Sequence, residues 1–150
     1  MRGPIAKLIS TSLLGLALLL VALPGSAGEQ EIRNFAMLVG LRDIDAFVET
    51  VMSVRQHGEL PDRYLDKNEA RSWGWNPGSD LCDVAPGHAI GGNRFGNREG
   101  LLPDRRGRRW TEADLDFDCG RRNAKRLVFS NDGLIFVTTD HYESFYEVPQ

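Results

Sequence analysis

Leu127-Val128-Phe129-Ser130-Asn131-Asp132-Gly133-Leu134-Ile135-Phe136-Val137 decides the fold class. Two apolar runs, rich in β-branched and aromatic residues, flank a three-residue turn sequence that ends in Asp-Gly. That pattern predicts two antiparallel strands joined as a hairpin. Further toward the C-terminus, Phe145 to Val148 reads as a final strand. Upstream, from about residue 88, turn residues punctuate short runs at Gly91-Gly92, Gly96-Asn97, Pro103, Gly107 and Gly120. The second half of the chain is therefore predicted to be a sheet.

The first half has a different period. Ile44, Phe47, Val48, Val51 and Val54 recur at helical spacing and place one apolar face on a helix. Gly58 ends it, and Leu60-Pro61 prevents continuation. A second, short helix begins near Asp66, where Asp66 and Glu69 have the spacing of a capping box, and Trp73-Gly74-Trp75 closes it. Helices first and strands later predict an α+β domain with helices packed on an antiparallel sheet. Residues 28–43 show no sustained period and are read as a tail, a short pro-segment or a partly docked arm.

The N-terminus reads as an address. Arg2 and Lys7 precede an apolar stretch from Leu8 to Leu23, Pro24-Gly25 break it, and Gly25-Ser26-Ala27 offers small residues for a signal peptidase. Residues 1–27 are expected to be a signal peptide cleaved after Ala27, with an uncleaved membrane anchor as the alternative. The dense apolar part, Leu13 to Leu23, is short for a ~30 Å hydrocarbon core. An exported chain with two cysteines is expected to pair them, Cys82 with Cys119, and two free buried thiols are the other reading.

The whole chain of 150 residues carries 18 Lys plus Arg against 21 Asp plus Glu, a net charge of −3. Loss of Arg2 and Lys7 with the address would take it from −3 to −5. Taken alone, that balance argues against a generic nucleic-acid binder. The charge is uneven, however. Ten basic residues, all but one of them Arg, lie between Arg94 and Arg126 among six acids. The planar guanidinium fork suits phosphate, although an arginine-rich solvated surface gives the same count.

Several chemistries have no motif here. The sequence contains no phosphate-binding P-loop, no zinc-ligand spacing and no EF-hand loop, and no cofactor or metal is expected. Acid–base work would fall to His57, His88, His141 or a carboxylate. In Trp110-Thr111-Glu112-Ala113-Asp114 the alternation puts Trp110, Glu112 and Asp114 on one strand face. Either both carboxylates face solvent, or arginines from neighbouring strands such as Arg122 and Arg126 neutralise them, which would favour an ionised Glu112.

Asp83-Val84-Ala85-Pro86-Gly87, Ile90-Gly91-Gly92, Asn97-Arg98-Glu99-Gly100, Trp110-x-Glu112-Ala113-Asp114, Arg122-Asn123, Arg126 and Thr138-Thr139-Asp140-His141-Tyr142 follow one another in order. Upstream stand Leu60-Pro61-Asp62-x-Tyr64, Lys67-x-Glu69-Ala70 and Gly74-Trp75. Over residues 44–148 the sequence resembles the barnase-like guanyl-preferring ribonucleases of bacteria. The resemblance implies the microbial ribonuclease fold, N-terminal helices on a five-stranded antiparallel sheet, in a domain spanning 44–150. It implies endonucleolytic cleavage of single-stranded RNA, preferentially 3′ of guanine, through a 2′,3′-cyclic phosphate and without a metal.

Residue by residue, Glu112 matches the general base and His141 the general acid. Lys67, Arg122 and Arg126 match the cations around the scissile phosphate, and Asp114 a carboxylate that supports the arginines. Phe95, Asn97, Arg98 and Glu99 match the guanine-recognition loop, with Glu99 as the acceptor for the base, and Tyr142 matches a contact to the following nucleotide. The chain departs from the pattern at Gly96, where Ser is common, at Arg121, where an aromatic stands, at Leu101, where Lys stands, and at both cysteines. The resemblance also implies a small acidic inhibitor like barstar, and we expect the processed protein to be a monomer without membrane association. A non-catalytic RNA or nucleotide binder using the same groove, and an interaction protein with an acidic surface, are the competing readings.

Overall fold

The computed structural model describes residues 24–150, with side chains from residue 28 onward. The expected signal peptide lies outside the described residues, except that the backbone of 24–27 opens the first helix. Among the described residues no helix is long and apolar enough to cross a membrane.

Helix α1 (Pro24–Leu38) precedes α2 (Ile44–His57), and α3 (Lys67–Ser72) is a short third helix. The strands are β1 (Tyr64–Leu65), β2 (Ala89–Phe95), β3 (Trp110–Asp114), β4 (Arg126–Ser130), β5 (Ile135–Thr138) and β6 (Tyr146–Glu147). They form one sheet in sequence order, β1 to β6. All pairings from β2 onward are antiparallel, and β1 runs parallel to β2. The α+β architecture is the expected one, but the sheet has six strands instead of five. The additional pairing is β1, two residues long, and two residues are too few for an alternating pattern to be read in a sequence.

Each local signal in α2 and α3 has a structural counterpart. The Asp43 side chain caps α2 by accepting the Ala46 N–H at 3.0 Å, and Gly58 ends the helix with φ +72°, donating its N–H to the Val54 carbonyl. Asp66 caps α3 by accepting from Asn68 and Glu69, while Glu69 returns a bond to the Asp66 N–H. Phe47, Val48, Val51 and Val54 are buried, and each such side chain contributes about 1.5–3 kcal/mol when removed from water.

Of the three readings of residues 28–43, the structure shows the docked arm. These residues form most of α1 and a turn that docks on α2, with Ile32, Ala36 and Leu41 in the main core. The helix ends in a Schellman turn: Gly40 adopts φ +77°, the Leu41 N–H reaches the Ala36 carbonyl at 2.9 Å, and Leu41 folds back into the core. Asp116, itself at φ +54°, ties this turn to the sheet. Its carboxylate accepts the Arg42 and Asp43 N–H groups, the latter at 2.9 Å, and the Lys125 ammonium at 2.7 Å. Burial alone would raise the Asp116 carboxyl, but these donors outweigh it and hold it below the usual carboxylate range.

The sheet has two unlike faces. Ala113, Leu115, Leu127, Phe129, Ile135 and Val137 turn to α1 and α2. Trp110, Glu112, Asp114, Arg126, Val128, Phe136 and Thr138 occupy the other face, whose apolar end is a second cluster of Leu102, Trp110, Val128 and Phe136. A third cluster around Leu65, Trp75, Leu81 and Ile90 fills the space under α3.

Candidate active site

Glu112 and Asp114 sit at adjacent even positions of β3, opposite Val128 and Arg126 of β4. Both are buried, so each must be compensated by partners. The resemblance implies that Asp114 pairs with the arginines, whereas one of the two strand-face readings set Arg122 and Arg126 beside Glu112. Asp114 takes both arginines. Arg122 grips it with two parallel bonds, Nε to Oδ2 and Nη2 to Oδ1, both 2.7 Å. Arg126 Nε lies 2.9 Å from Asp114 Oδ1, but its N–H points off the oxygen, so this is an ion pair without a directed hydrogen bond. The Arg126 Nη1 donates instead to the carbonyls of Asn123 and Lys125. The register places Asp114 directly across from Arg126, while Arg122 reaches it from the β3–β4 connection. Bonding to Asp114 raises the Arg122 guanidinium above its ordinary value, so it stays a cation.

Glu112 receives Lys67 and Tyr142. The Lys67 ammonium stands 3.4 Å from Oε1, and the Tyr142 hydroxyl donates to Oε2. Burial and then the bond to Glu112 push the Tyr142 phenol well above its usual range, so it remains a donor. Lys67 is the first residue of α3, and its backbone N–H donates to the Asn93 side chain at 3.0 Å. Asn93 lies opposite Glu112 just past a bulge in β2, between Gly91 and Asn93. Gly91 is required there, because a Cβ would lie 2.6 Å from the Tyr64 ring and 2.9 Å from the Ala113 Cβ. Sequence reasoning missed Asn93 as the residue that docks α3. The Gly91-Gly92 pair inside a strand pattern was the signal for the bulge that aims it.

His141 lies on the tight turn after β5. It is exposed, at φ +57°, with Tyr142 following at φ +73°. Asp140 holds this turn: it accepts from Thr138 Oγ1 at 2.9 Å, from the Glu143 and Ser144 N–H groups, and from the Ser144 hydroxyl. The Tyr142 N–H donates to Thr138 Oγ1 and the His141 N–H to the Ala124 carbonyl, which joins the His141 turn to the segment carrying Arg122 and Arg126. His57 is exposed, and His88 packs edge-on to Trp73.

Phe95 is the last residue of β2, and the loop after it presents Asn97, Arg98 and Glu99. Asn97, at φ +45°, closes the loop through its side chain, donating to the Leu102 carbonyl and accepting the Leu102 N–H, both at 3.0 Å. Arg98 and Glu99 are exposed at the tip. Phe95 stacks on Tyr142 with centroids 4.9 Å apart, which connects this loop to Glu112. Cys82 and Cys119 are joined as a disulfide, tying the 3₁₀ turn Leu81–Asp83 to the β3–β4 connection.

One buried carboxylate thus lies between a lysine and a phenol, a second carboxylate holds two arginines, and an imidazole stands exposed on a braced turn, next in sequence to the phenol. The sequence model of a family described as ribonuclease matches residues 49–149. The chain belongs to the ribonuclease family. It is 49% identical over 94 residues to a ribonuclease of Heyndrickxia coagulans, covering 62% of this chain and 86% of that one. A ribonuclease of Bacillus intermedius is also 49% identical over 94 residues, and there the match spans only 58% of the relative's length. Guanyl-specific ribonuclease St of Saccharopolyspora erythraea is 44% identical over 55 residues, covering 36% of this chain and 54% of its own.

Proposed function

We propose that this ribonuclease is a secreted endoribonuclease that cuts single-stranded RNA, preferentially 3′ of guanine, by transesterification followed by hydrolysis of the cyclic product. Glu112, held between Lys67 and Tyr142 next to the Asp114–Arg122–Arg126 cluster, carries the reading. The ribose 2′-oxygen attacks the adjacent phosphorus while Glu112 takes its proton. The P–O5′ bond breaks and His141 supplies a proton to the leaving 5′-oxygen, leaving a 2′,3′-cyclic phosphate. In the second step His141 takes a proton from water, which attacks phosphorus, and Glu112 returns a proton to the 2′-oxygen. Lys67, Arg122 and Arg126 stabilise charge on the non-bridging oxygens. Nothing in this cycle requires a cofactor.

Guanine recognition is assigned to the loop 95–99. The Glu99 carboxylate accepts the N1–H and N2–H₂ donors of the base, backbone N–H groups near Asn97 and Arg98 meet O6, and Phe95 supplies an apolar wall. Export through cleavage after Ala27 would remove the first turn of α1 and leave its core contacts from Ile32 onward. Exposed Arg98 and Arg121 near the site also suit a small acidic inhibitor that associates quickly and in a salt-sensitive way.

The deciding experiment is digestion of a defined RNA with mapped product ends, with and without a chelator. We expect cuts after G, 2′,3′-cyclic ends that later open to 3′-phosphates, and no loss of rate on chelation. Cuts spread evenly over the four bases would refute the assignment of the loop. Mass spectrometry of secreted protein tests the start at Gly28.

A further inference from the structure

Asp114 and Arg126 face each other across β3 and β4, and Arg122 comes from the connection between them, residues 115–125. The middle of this connection does little to hold itself. Residues 117–121 make no backbone–backbone hydrogen bond, and Cys119 is tied to Cys82 of the 3₁₀ turn. Its two ends are gripped by the turn that links α1 to α2. Asp116 is the hook. Its side chain is 2% exposed and accepts the Arg42 N–H at 2.9 Å, the Asp43 N–H at 2.9 Å and the Lys125 ammonium at 2.7 Å. The same ammonium donates to the Gly40 carbonyl at 2.7 Å, and Arg42 Nη2 donates to the Asp116 carbonyl at 3.2 Å. The second residue of the connection and its last are therefore fixed to one turn and to each other.

From there the ties run to the cations. The Asn123 amide donates to the carbonyls of Leu115 and Asp116 at 2.9 and 3.0 Å, and its oxygen accepts the Lys125 N–H at 2.7 Å. The carbonyls of Asn123 and Lys125 in turn accept the directed bonds of Arg126, from Nη1 at 2.6 and 2.7 Å. Arg122, one residue before Asn123, needs the same arc to lay its fork on Asp114. A buried anion that bonds neither guanidinium thus shapes the segment on which both depend.

We propose that Asp116 is a positioning residue of the active site, acting through the β3–β4 connection to aim Arg122 and Arg126 at the scissile phosphate and so linking the α1–α2 turn to catalysis. The proposal rests on the ribonuclease reading above. A carboxylate that only tied down the turn would affect stability and nothing else.

The test measures kcat and KM on GpU, and competitive inhibition by inorganic phosphate, in wild type, Asp116→Asn, Lys125→Met and Asp43→Ala, at one temperature well below the lowest Tm. Asp43→Ala is the stability control. It removes the α2 cap from the same turn but keeps the backbone N–H that Asp116 accepts. It should lower Tm and leave kcat and phosphate inhibition unchanged. Asp116→Asn should lower kcat by about 10- to 100-fold, the cost of a group misplaced by about 1 Å, with a smaller change in KM. It should also weaken phosphate inhibition by about tenfold, as for one lost hydrogen bond to a charged group. Lys125→Met removes one donor and keeps the anion, so both readouts should move the same way by about three- to fivefold. This variant carries the test if Asp116→Asn does not fold. A lowered Tm with wild-type kcat and phosphate inhibition in Asp116→Asn, or unchanged values in Lys125→Met, overturns the proposal. So does an equal loss of kcat in Asp43→Ala, which would make the effect a general loosening. If the wild type leaves GpU uncut, the ribonuclease reading itself fails and the positioning role fails with it.

Discussion

Arg122 meets Asp114 through two parallel hydrogen bonds of 2.7 Å, on a carboxylate that is almost wholly buried and is also approached by Arg126. One anion therefore fixes two cations, and the cations cannot be described apart from it. Asp114→Asn keeps the shape and removes the charge. It would leave the buried Arg126 guanidinium without its counter-charge, and breaking such a pair costs about 3–5 kcal/mol. Urea unfolding should register that loss, and turnover should fall more than tenfold as Arg122 is released. Unchanged stability would mean that the backbone carbonyls of Asn123 and Lys125 suffice for Arg126.

Tyr142 and Lys67 hold Glu112, which in the proposed mechanism handles the proton. Glu112→Gln should lower kcat by about 10²–10⁴, the range for a lost acid–base group. Tyr142→Phe removes one donor and leaves the carboxylate, so we expect about a tenfold loss, mostly in kcat. Steady-state kinetics on a guanine-containing dinucleotide separates the two, and equal losses would make Tyr142 more than a positioning residue.

The His141 turn carries its own pH limit. The Ser144 hydroxyl, ahead of the Ser144 and Glu143 N–H groups and Thr138, holds the Asp140 carboxyl down to about 2. A carboxyl lowered on folding stabilises the native state above its unfolded value, near 4, and loses that contribution as pH falls through the folded value. The stability difference between wild type and Asp140→Asn should thus be constant above about pH 5 and shrink toward pH 2. Thermal melts across that window test the sign; a difference that grows on acidification would contradict it.

Cys82–Cys119 closes a 37-residue span. On the chain-entropy model its loss destabilises by about 3–4 kcal/mol. Reduction, or the double change to Ser, should lower Tm by roughly 10 °C or more for a domain of this size. Activity should drop at temperatures where the protein is still folded, because the bond anchors the connection that carries Arg121 and Arg122. Full activity after reduction would confine the bond to stability.

Gly91→Ala tests the bulge. The added Cβ at 2.6 Å from the Tyr64 ring forces that ring or β2 to move, with an expected cost of about 1–3 kcal/mol. Since Asn93 docks Lys67 just beyond the bulge, kcat/KM should fall along with stability. A loss of stability with unaltered kinetics would separate the bulge from the site.

The elements legible in the sequence are those whose signal is local. The Asp66–Glu69 box, the α2 stripe and the turn at Asn131–Gly133 each place their own partners within a few residues. Helix α1 escaped because its core-facing positions, Ile32, Phe35 and Ala36, with Val39 just past its end, cover barely two turns before Gly40. The site residues, and the pairing of Asp114 with the arginines, were legible by resemblance, but the partners of Glu112 were not. Lys67 reaches Glu112 across 45 positions and Asp116 caps the Arg42 turn across 74, and nothing local encodes such contacts. Sequence alternation put Glu112 and Asp114 on one face, but it could not divide the cations between them.

Strand β3 does two jobs by parity. Its odd positions face the helices that hold the fold together, and its even positions hold the buried carboxylates. Substitutions can therefore tune durability and chemistry separately along the same five residues. An inserted or deleted residue cannot, because it would exchange the two sets and drive both carboxylates into the oily side of the molecule. In this strand, length is more constrained than identity.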